Sequence, residues 1–389
     1  MKKSADVVVI GGGVMGCSIL FNLAETGMTN AVLLEKDMLA AGSTGRSQGI
    51  IRMHNSNEVT TLMAWESLLM FQNFDEIVGG ASSGYTRTGY VLIAGRNDQP
   101  AMEKTVAMQQ CLGVNTRLVS PTDVMKLSPV LSIRDDEMCV YEPESGYADP
   151  YSVTQGYAKK ARELGAKVQL DTEVTSVKVK NGRVASVSTS AGEISTPMAV
   201  ITAGPWSKSL IKNLKIEVPL ETVRHQVIVL HRPEDTVPHH PGIGDLTNSF
   251  SARPESNGLT LIGVGENEIV GPSEFKQGVD LSVVQDVSEK LTARIPGMSQ
   301  ALFKGGWSGL FTTTPDWHPI LDKIETIEGL YIAIGFSGHG FKLAPMVGVV
   351  MAQMITQSRS STIDVGMLGL DRFEHNKLMQ SNYEMNVLA

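Results

Sequence analysis

Two basic residues stand where a charge is unfavourable unless something negative meets it. Arg52 follows Ile50-Ile51, apolar residues that carry its guanidinium toward an interior, and a buried guanidinium needs an anion. Lys342 ends the run Gly335-Phe336-Ser337-Gly338-His339-Gly340-Phe341-Lys342, in which Gly338 and Gly340 leave backbone amides bare where an apolar helix begins. Helix dipole and ammonium together favour a negative group there. A third feature says what else is bound. Val7 to Ile10 is an apolar, β-branched run followed at once by a G-x-G-x-x-G frame on Gly11, Gly13 and Gly16, with Val14 and Met15 inside it. Gly11 permits a sharp strand-to-helix turn, Gly13 lets a pyrophosphate approach the helix N-terminus, and Gly16 lets the helix pack closely on the strand. Glu35 ends the next apolar run, near the expected ~20 residues further on, where a carboxylate accepts the ribose hydroxyls of an adenosine. An acid there also disfavours a 2′-phosphate, which leaves NAD or FAD.

Positioning these groups takes a parallel sheet whose strands are spread along the chain. The spacing predicts a strand over 7–10, a helix over 14–25 closed by Gly27, and a buried strand over 31–34. The loop 40–49 is small and polar and offers amides and hydroxyls to a ligand. A helix is expected over 58–78 with Leu62, Trp65, Leu69 and Phe71 on its buried face, and 85–145 reads as an insertion. Asp149-Pro150 opens a helix to about residue 164, and an antiparallel meander follows, with a two-residue hairpin turn at Asn181-Gly182. Residues 199–204 form another buried strand ending beside Pro205 and Trp206. Segments 220–230, 259–263 and 303–310 are predicted strands of a second sheet able to roof a cofactor, and 329–335 returns to the first sheet before a helix to about 356. A dinucleotide fold interrupted by a meander is, by analogy, the plan of FAD proteins rather than of a plain NAD dehydrogenase.

Composition narrows the remaining choices. At 389 residues, two domains are the natural expectation, and 42% hydrophobic with 19% charged residues describes an ordinary soluble protein. A net charge of −8 repels nucleic acid and anionic membranes over most of the surface. Cys17, Cys111 and Cys139 are odd in number and far apart, with no metal spacing, which fits reduced, buried thiols in a cytoplasmic protein and no bound metal. Lys2-Lys3 before an apolar run imitates a secretory signal, but the run breaks at Gly11. No apolar segment reaches the ~18 to 20 residues of a membrane span.

Taken in order, the glycine frame, Leu33-Leu34-Glu35-Lys36, Thr202-Ala203-Gly204-Pro205-Trp206-Ser207, Trp307-Ser308-Gly309-Leu310-Phe311-Thr312-Thr313-Thr314-Pro315-Asp316 and the run from Gly335 to Lys342 resemble the D-amino-acid oxidase superfamily. Within it the likeness is to the sarcosine oxidase, glycine oxidase and FAD-dependent proline dehydrogenase branch. The resemblance implies an α/β fold: a Rossmann-like FAD domain with a β-meander, interleaved with a substrate domain built on an antiparallel sheet. The expected division is 1–84, 146–218 and 316–389 for FAD, and 85–145 and 219–315 for substrate. It implies oxidation of the C–N bond of a small amino acid, sarcosine, proline or a similar secondary amine, by hydride transfer to flavin N5.

Carried over by position, Gly11, Gly13, Val14, Met15, Gly16, Glu35 and Lys36 hold the ADP half, with Val174 giving backbone contacts to adenine. Ser43, Thr44, Arg46, Ser47 and Gln48 line the flavin edge, Ala203, Gly204 and Trp206 end the second FAD strand, and Gly338, His339, Gly340, Phe341 and Lys342 form the pyrimidine site. Arg52 and Lys342 are expected to bind the substrate carboxylate over the flavin face. For Arg52 the alternative is a salt bridge within the protein. Relatives that attach flavin covalently place Cys where Gly309 aligns or His near where Arg46 aligns, so FAD is expected to be non-covalent. No His stands near Asp149-Pro150 for a second, FMN, cofactor. Monomeric sarcosine oxidases place a Lys over the flavin for reaction with oxygen, and aligning 257–261 with that strand puts Thr260 there, which favours a dye or quinone acceptor over oxygen. His225 could substitute only if it points inward and is protonated. Two rivals remain: an FAD-carrying subunit of a multi-subunit amino-acid dehydrogenase, with a partner subunit as acceptor, and a tRNA-modifying flavin domain, which the acidic balance opposes. Oligomeric state stays open.

Overall fold

A computed structural model describes residues 3–383. Its first sheet has six strands in the order Ile320–Lys323, Leu330–Ile334, Ala199–Ile201, Val7–Ile10, Ala31–Leu34, Lys167–Gln169. All neighbours pair in parallel except the first two. Every residue of Val7–Ile10, Ala31–Leu34 and Ala199–Ile201 is buried, because both faces of a parallel sheet are covered. Alternation sorts the side chains. Val7, Val9 and Leu33 face the helices Val14–Glu25, Pro150–Glu163 and Gly340–Gln357, while Val8, Ile10, Val32 and Leu34 face the meander Val174–Lys180, Arg183–Thr189, Gly192–Ser195. Asn181 and Gly182, both at positive φ, make the predicted hairpin turn.

The second sheet has eight strands, ordered Leu302–Thr313, Glu221–His231, Leu259–Ile269, Phe250–Pro254, Gly242–Asp245, Tyr90–Gly95, Glu137–Glu142, Arg117–Val119. Only the Gly242–Asp245 and Tyr90–Gly95 pair is parallel, and it joins the two stretches of chain that build the sheet. Helix Leu281–Arg294 buries Val287 and Leu291 against one face. A three-stranded piece, Ile50–Ile51, Gly146–Tyr147, Thr86–Arg87, links the sheets and carries Arg52 at its end.

Three expectations are corrected. The helix over 58–78 is two helices, Glu58–Gln72 and Phe74–Val78, broken at Asn73. Its buried face is Met63, Ala64, Ser67, Leu68 and Phe71, and Leu69 is exposed. That face is set by helix Gly340–Gln357, which packs on it: Met346 N donates to Ser67 Oγ at 3.2 Å and the Phe71 and Phe341 rings lie 5.3 Å apart. Finally, Cys111 is exposed, whereas Cys17 and Cys139 are buried.

Candidate active site

Both sheets wall a cavity of about 870 Å³, a size typical of ligand sites. Strand Val7–Ile10 delivers the glycine turn to it. Gly11 has φ +113°, and a Cβ there would sit 2.7 Å from Thr202 O. A Cβ on Gly16 would fall 2.0 Å from Gly11 O, so Gly16 serves helix-to-strand packing, and it alone among the residues expected to hold FAD or substrate does not line the cavity. Gly13, Val14 and Met15 line it at the helix N-terminus. Glu35 is fixed by two amides, Gly12 N to Oε2 at 2.6 Å and Asp37 N to Oε1 at 2.9 Å. A carboxylate has lone pairs for about four such bonds, so capacity for ribose hydroxyls remains. Lys36 Nζ lies 3.8 Å over the Trp206 ring, and Val174, Ala203 and Gly204 share that end of the wall.

The loop 43–48 is stitched to the second sheet. Ser43 Oγ donates to Leu310 O at 2.8 Å, Arg46 Nη1 to Ser308 O at 2.9 Å and Gln48 Nε2 to Leu261 O at 3.1 Å. Thr44 Oγ1 accepts from Val14 N at 3.1 Å, and Ser47 Oγ accepts from Gly49 N at 3.0 Å. Residues 270–278 close over the cavity beside Trp206 and Arg46. Trp206 Nε1 donates to Ser273 Oγ at 3.3 Å, and Arg46 Nη2 donates to Gln277 Oε1 at 3.1 Å.

At the other end two helix N-termini converge, since a Cβ on Gly340 would meet Met15 Cε at 3.0 Å. Neither helix has an acid in its first turn, so both dipoles leave positive potential on the cavity. Gly338, His339, Gly340, Phe341 and Lys342 all line this end. A Cβ on Gly338 would strike the Phe311 ring at 2.7 Å, which requires glycine there. Lys342 is buried with Nζ donating to Asn55 Oδ1 at 3.0 Å. Burial, then the Arg52 charge, pushes the Lys342 ammonium well below its usual pKa, with Glu142 pulling the other way. Arg52 is buried on the same wall, and its Nη1 donates to His54 O. Tyr90, whose phenol burial pushes up to about 12, and Leu92 adjoin them.

His225 points inward, stacked on Phe311 at 4.2 Å and 16°, but burial lowers its pKa to about 4 and it is neutral at pH 7. Thr260 is displaced from the expected position. It is wholly buried with its Oγ1 3.0 Å from His240 Nε2, and Gly263 is the residue of that strand on the wall. The alignment matched only the strand's start, whereas the strand runs on to Ile269. The segment still brings no lysine, for Lys36 and Lys342 are the lysines lining the cavity. Sequence reasoning missed Tyr90, Asp245, Phe250 and Ser251 on the second sheet. One signal was available: Gly242 and Gly244 alternate along a strand, and a Cβ on either would overlap the Tyr90 ring or hydroxyl.

Glycine cradle, ribose-competent acid and paired helix N-termini around one large cavity fit a dinucleotide with an anionic group at its far end. The model of the DAO family, FAD dependent oxidoreductase, matches residues 6–354. The chain belongs to the DAO family of FAD-dependent oxidoreductases. Its cofactor is therefore FAD. The chain is similar to the mitochondrial sarcosine dehydrogenase of Homo sapiens, at 28% identity over 97% of this chain and 42% of the human protein. This DAO-family chain thus spans about two fifths of the length of that relative. It matches the sarcosine oxidase subunit beta of Rhodobacter capsulatus at 25% identity over 99% of this chain and 92% of that one. Among solved structures, the L-proline dehydrogenase from P. horikoshii superposes with TM-score 0.90 at 28% identity, over 97% of this chain and all of that one. Among the described residues, no helix is long and apolar enough to cross a membrane.

Proposed function

We propose that the chain oxidises the C–N bond of a small amino acid carrying a secondary amine, of the sarcosine or proline kind, to an imine that water then hydrolyses. The observation that carries this reading is the buried pair Arg52 and Lys342 on the wall of the cavity that begins at the glycine frame. FAD, when bound, supplies the electron acceptor, taking a hydride from the carbon beside the nitrogen. The guanidinium of Arg52 offers a planar fork that holds a carboxylate by two bonds. An arriving carboxylate stabilises the Lys342 proton that burial and Arg52 otherwise disfavour. Leu92, Val227 and Phe250 cover the substrate's carbon skeleton and exclude water. Tyr90, its phenol kept protonated by burial, is a potential hydrogen-bond donor on the same wall. No general base is required if the amine binds neutral, so activity rises with pH as the free amine deprotonates. The names of the human and P. horikoshii relatives support a secondary amine as substrate.

Arg52→Met is expected to raise KM for the amino acid roughly 10- to 100-fold, the loss of a charged hydrogen bond, and to change KM little for the matching amine without a carboxylate. Equal losses on both would place the carboxylate elsewhere. The FAD is proposed to be non-covalent, because Gly309 faces Arg46 and none of Cys17, Cys111 and Cys139 lines the cavity. Acid precipitation should leave the flavin in the supernatant, and a yellow pellet would refute this.

A second reading is an FAD-carrying subunit of a multi-subunit dehydrogenase, supported by the subunit name of the Rhodobacter relative. Bleaching of the flavin by amino acids without any partner would reject it. The strand Leu259–Ile269 carries no lysine and His225 is neutral, which supports a dye, quinone or partner subunit over oxygen as acceptor.

A further inference from the structure

Arg52 and Lys342 are both held by one turn, residues 52–56. Arg52 Nη1 donates to His54 O, and Lys342 Nζ donates to Asn55 Oδ1 at 3.0 Å. On its inner side Asn55 Nδ2 donates to Met53 O at 3.0 Å, Gln109 Nε2 donates to the same carbonyl at 2.8 Å, and Met53 N donates to Glu142 Oε2 at 3.0 Å. Its outer side is covered by residues 379–383, more than three hundred positions later in the chain. Tyr383 Oη lies 2.6 Å from His54 Nε2, both side chains buried. Asn382 N and Nδ2 donate to Ser56 Oγ and Ser56 O, each at 3.1 Å, and Nδ2 also reaches Thr105 Oγ1 at 3.2 Å. Lys104 Nζ donates to Asn382 Oδ1 at 3.0 Å, and Met379 N donates to Asp316 Oδ2 at 3.2 Å.

We propose that residues 379–383 are a positioning strap for the anion-binding pair, with Tyr383 acting through His54 to fix the carbonyl that orients Arg52. The proposal rests on the reading of Arg52 and Lys342 as the carboxylate site. Burial and the two nearby cations keep His54 neutral, at a pKa of about 3, so its ring has one donor and one acceptor. Its Nε2 meets the Tyr383 hydroxyl at 2.6 Å, as acceptor or donor according to tautomer, and either way the bond orients the ring rather than merely filling space. Tyr383 does not line the cavity and touches no reacting atom.

The test measures affinity of the FAD-loaded protein for methoxyacetate, a carboxylate without an amine, by titration calorimetry. Tyr383→Phe is expected to weaken it roughly fivefold, the loss of one neutral hydrogen bond. KM for the amino acid should rise by the same factor while kcat and flavin content hold. In an Arg52→Met background, Tyr383→Phe should have no further effect. Unchanged affinity in Tyr383→Phe, with weakening in Arg52→Met, would overturn the strap and leave the carboxylate site standing. Unchanged affinity in Arg52→Met would overturn the site reading and the strap with it. Equal weakening in both backgrounds would reduce Tyr383 to general packing and overturn the proposal. Should Tyr383→Phe lose its flavin, Asn382→Ala, which loosens the strap at Ser56 and Thr105, is read by the same three outcomes.

Discussion

Acidification from pH 6.5 toward pH 4 is expected to remove most of this protein's stability before its paired carboxylates protonate. His54, His240 and His318 are fully buried. Burial, reinforced at His54 by Arg52 and Lys342, lowers His54 from 6.5 to about 3 and His240 to about 4, and burial holds His318 low as well. Below pH 6.5 the unfolded chain binds protons at these sites while the native protein does not, so stability is full above 6.5 and falls as pH drops. His240 alone contributes a loss of roughly 3 kcal/mol by pH 4, and His54 a larger one, against a typical total of about 5–15 kcal/mol. Despite their burial, the arginines beside Glu137 and Asp316 hold these carboxylates below their ordinary range, so they act only at lower pH. Urea midpoints taken at half-unit intervals should fall steeply over this window. His240→Gln should flatten the curve. A midpoint that holds from pH 6.5 to 4.5 would rule out the buried neutral histidines as the source.

Arg294→Met is expected to destabilise the fold by about 3–5 kcal/mol. Arg294, at the end of helix Leu281–Arg294, donates from Nη1 to Glu137 Oε2 and from Nε to Asp245 Oδ2, both at 2.6 Å, with all three side chains buried. One guanidinium therefore neutralises two carboxylates from different strands of the second sheet. Removing it leaves both charges in a poor solvent, helped only by Arg134 beside Glu137 and Asn248 beside Asp245. Combining Arg294→Met with Glu137→Gln and Asp245→Asn should recover much of the loss, because the cost lies in the orphaned charges. A small effect of the single variant, below about 1 kcal/mol in denaturant titration, would mean that water reaches the cluster.

The contrast between the two sheets explains what could be read in advance. Val7–Ile10 and Ala31–Leu34 are continuous apolar runs bounded by glycine and acid, and a strand covered on both faces has no other sensible composition. That Gly11, Gly13, Glu35, Arg52 and Lys342 would share one cavity was legible because each is a residue type out of keeping with its neighbours. Gly242–Asp245 was not, since glycines cleared for the Tyr90 ring lower strand propensity, and the reason lies on another strand. Thr260 was misplaced because nothing local tells which part of an eleven-residue strand, Leu259–Ile269, faces the cavity. The strap over residues 52–56 left no trace, as Tyr383 and His54 are unremarkable until the fold joins them.

The order of strands in the first sheet also bears on how the protein is made. Val7–Ile10 leaves the ribosome well before its neighbour Ala199–Ile201, and the helix carrying Lys342 follows later still. The glycine turn and Glu35 are thus synthesised long before the wall they share with Gly338 and Lys342 exists. Such long-range closure is slow, and Val7–Ile10, paired early with Ala31–Leu34 on one edge, waits with its other edge open until Ala199–Ile201 arrives. Cofactor capture therefore awaits the strand and helix that carry residues 330–342, and a nascent chain stalled before residue 330 has no closed pocket to fill.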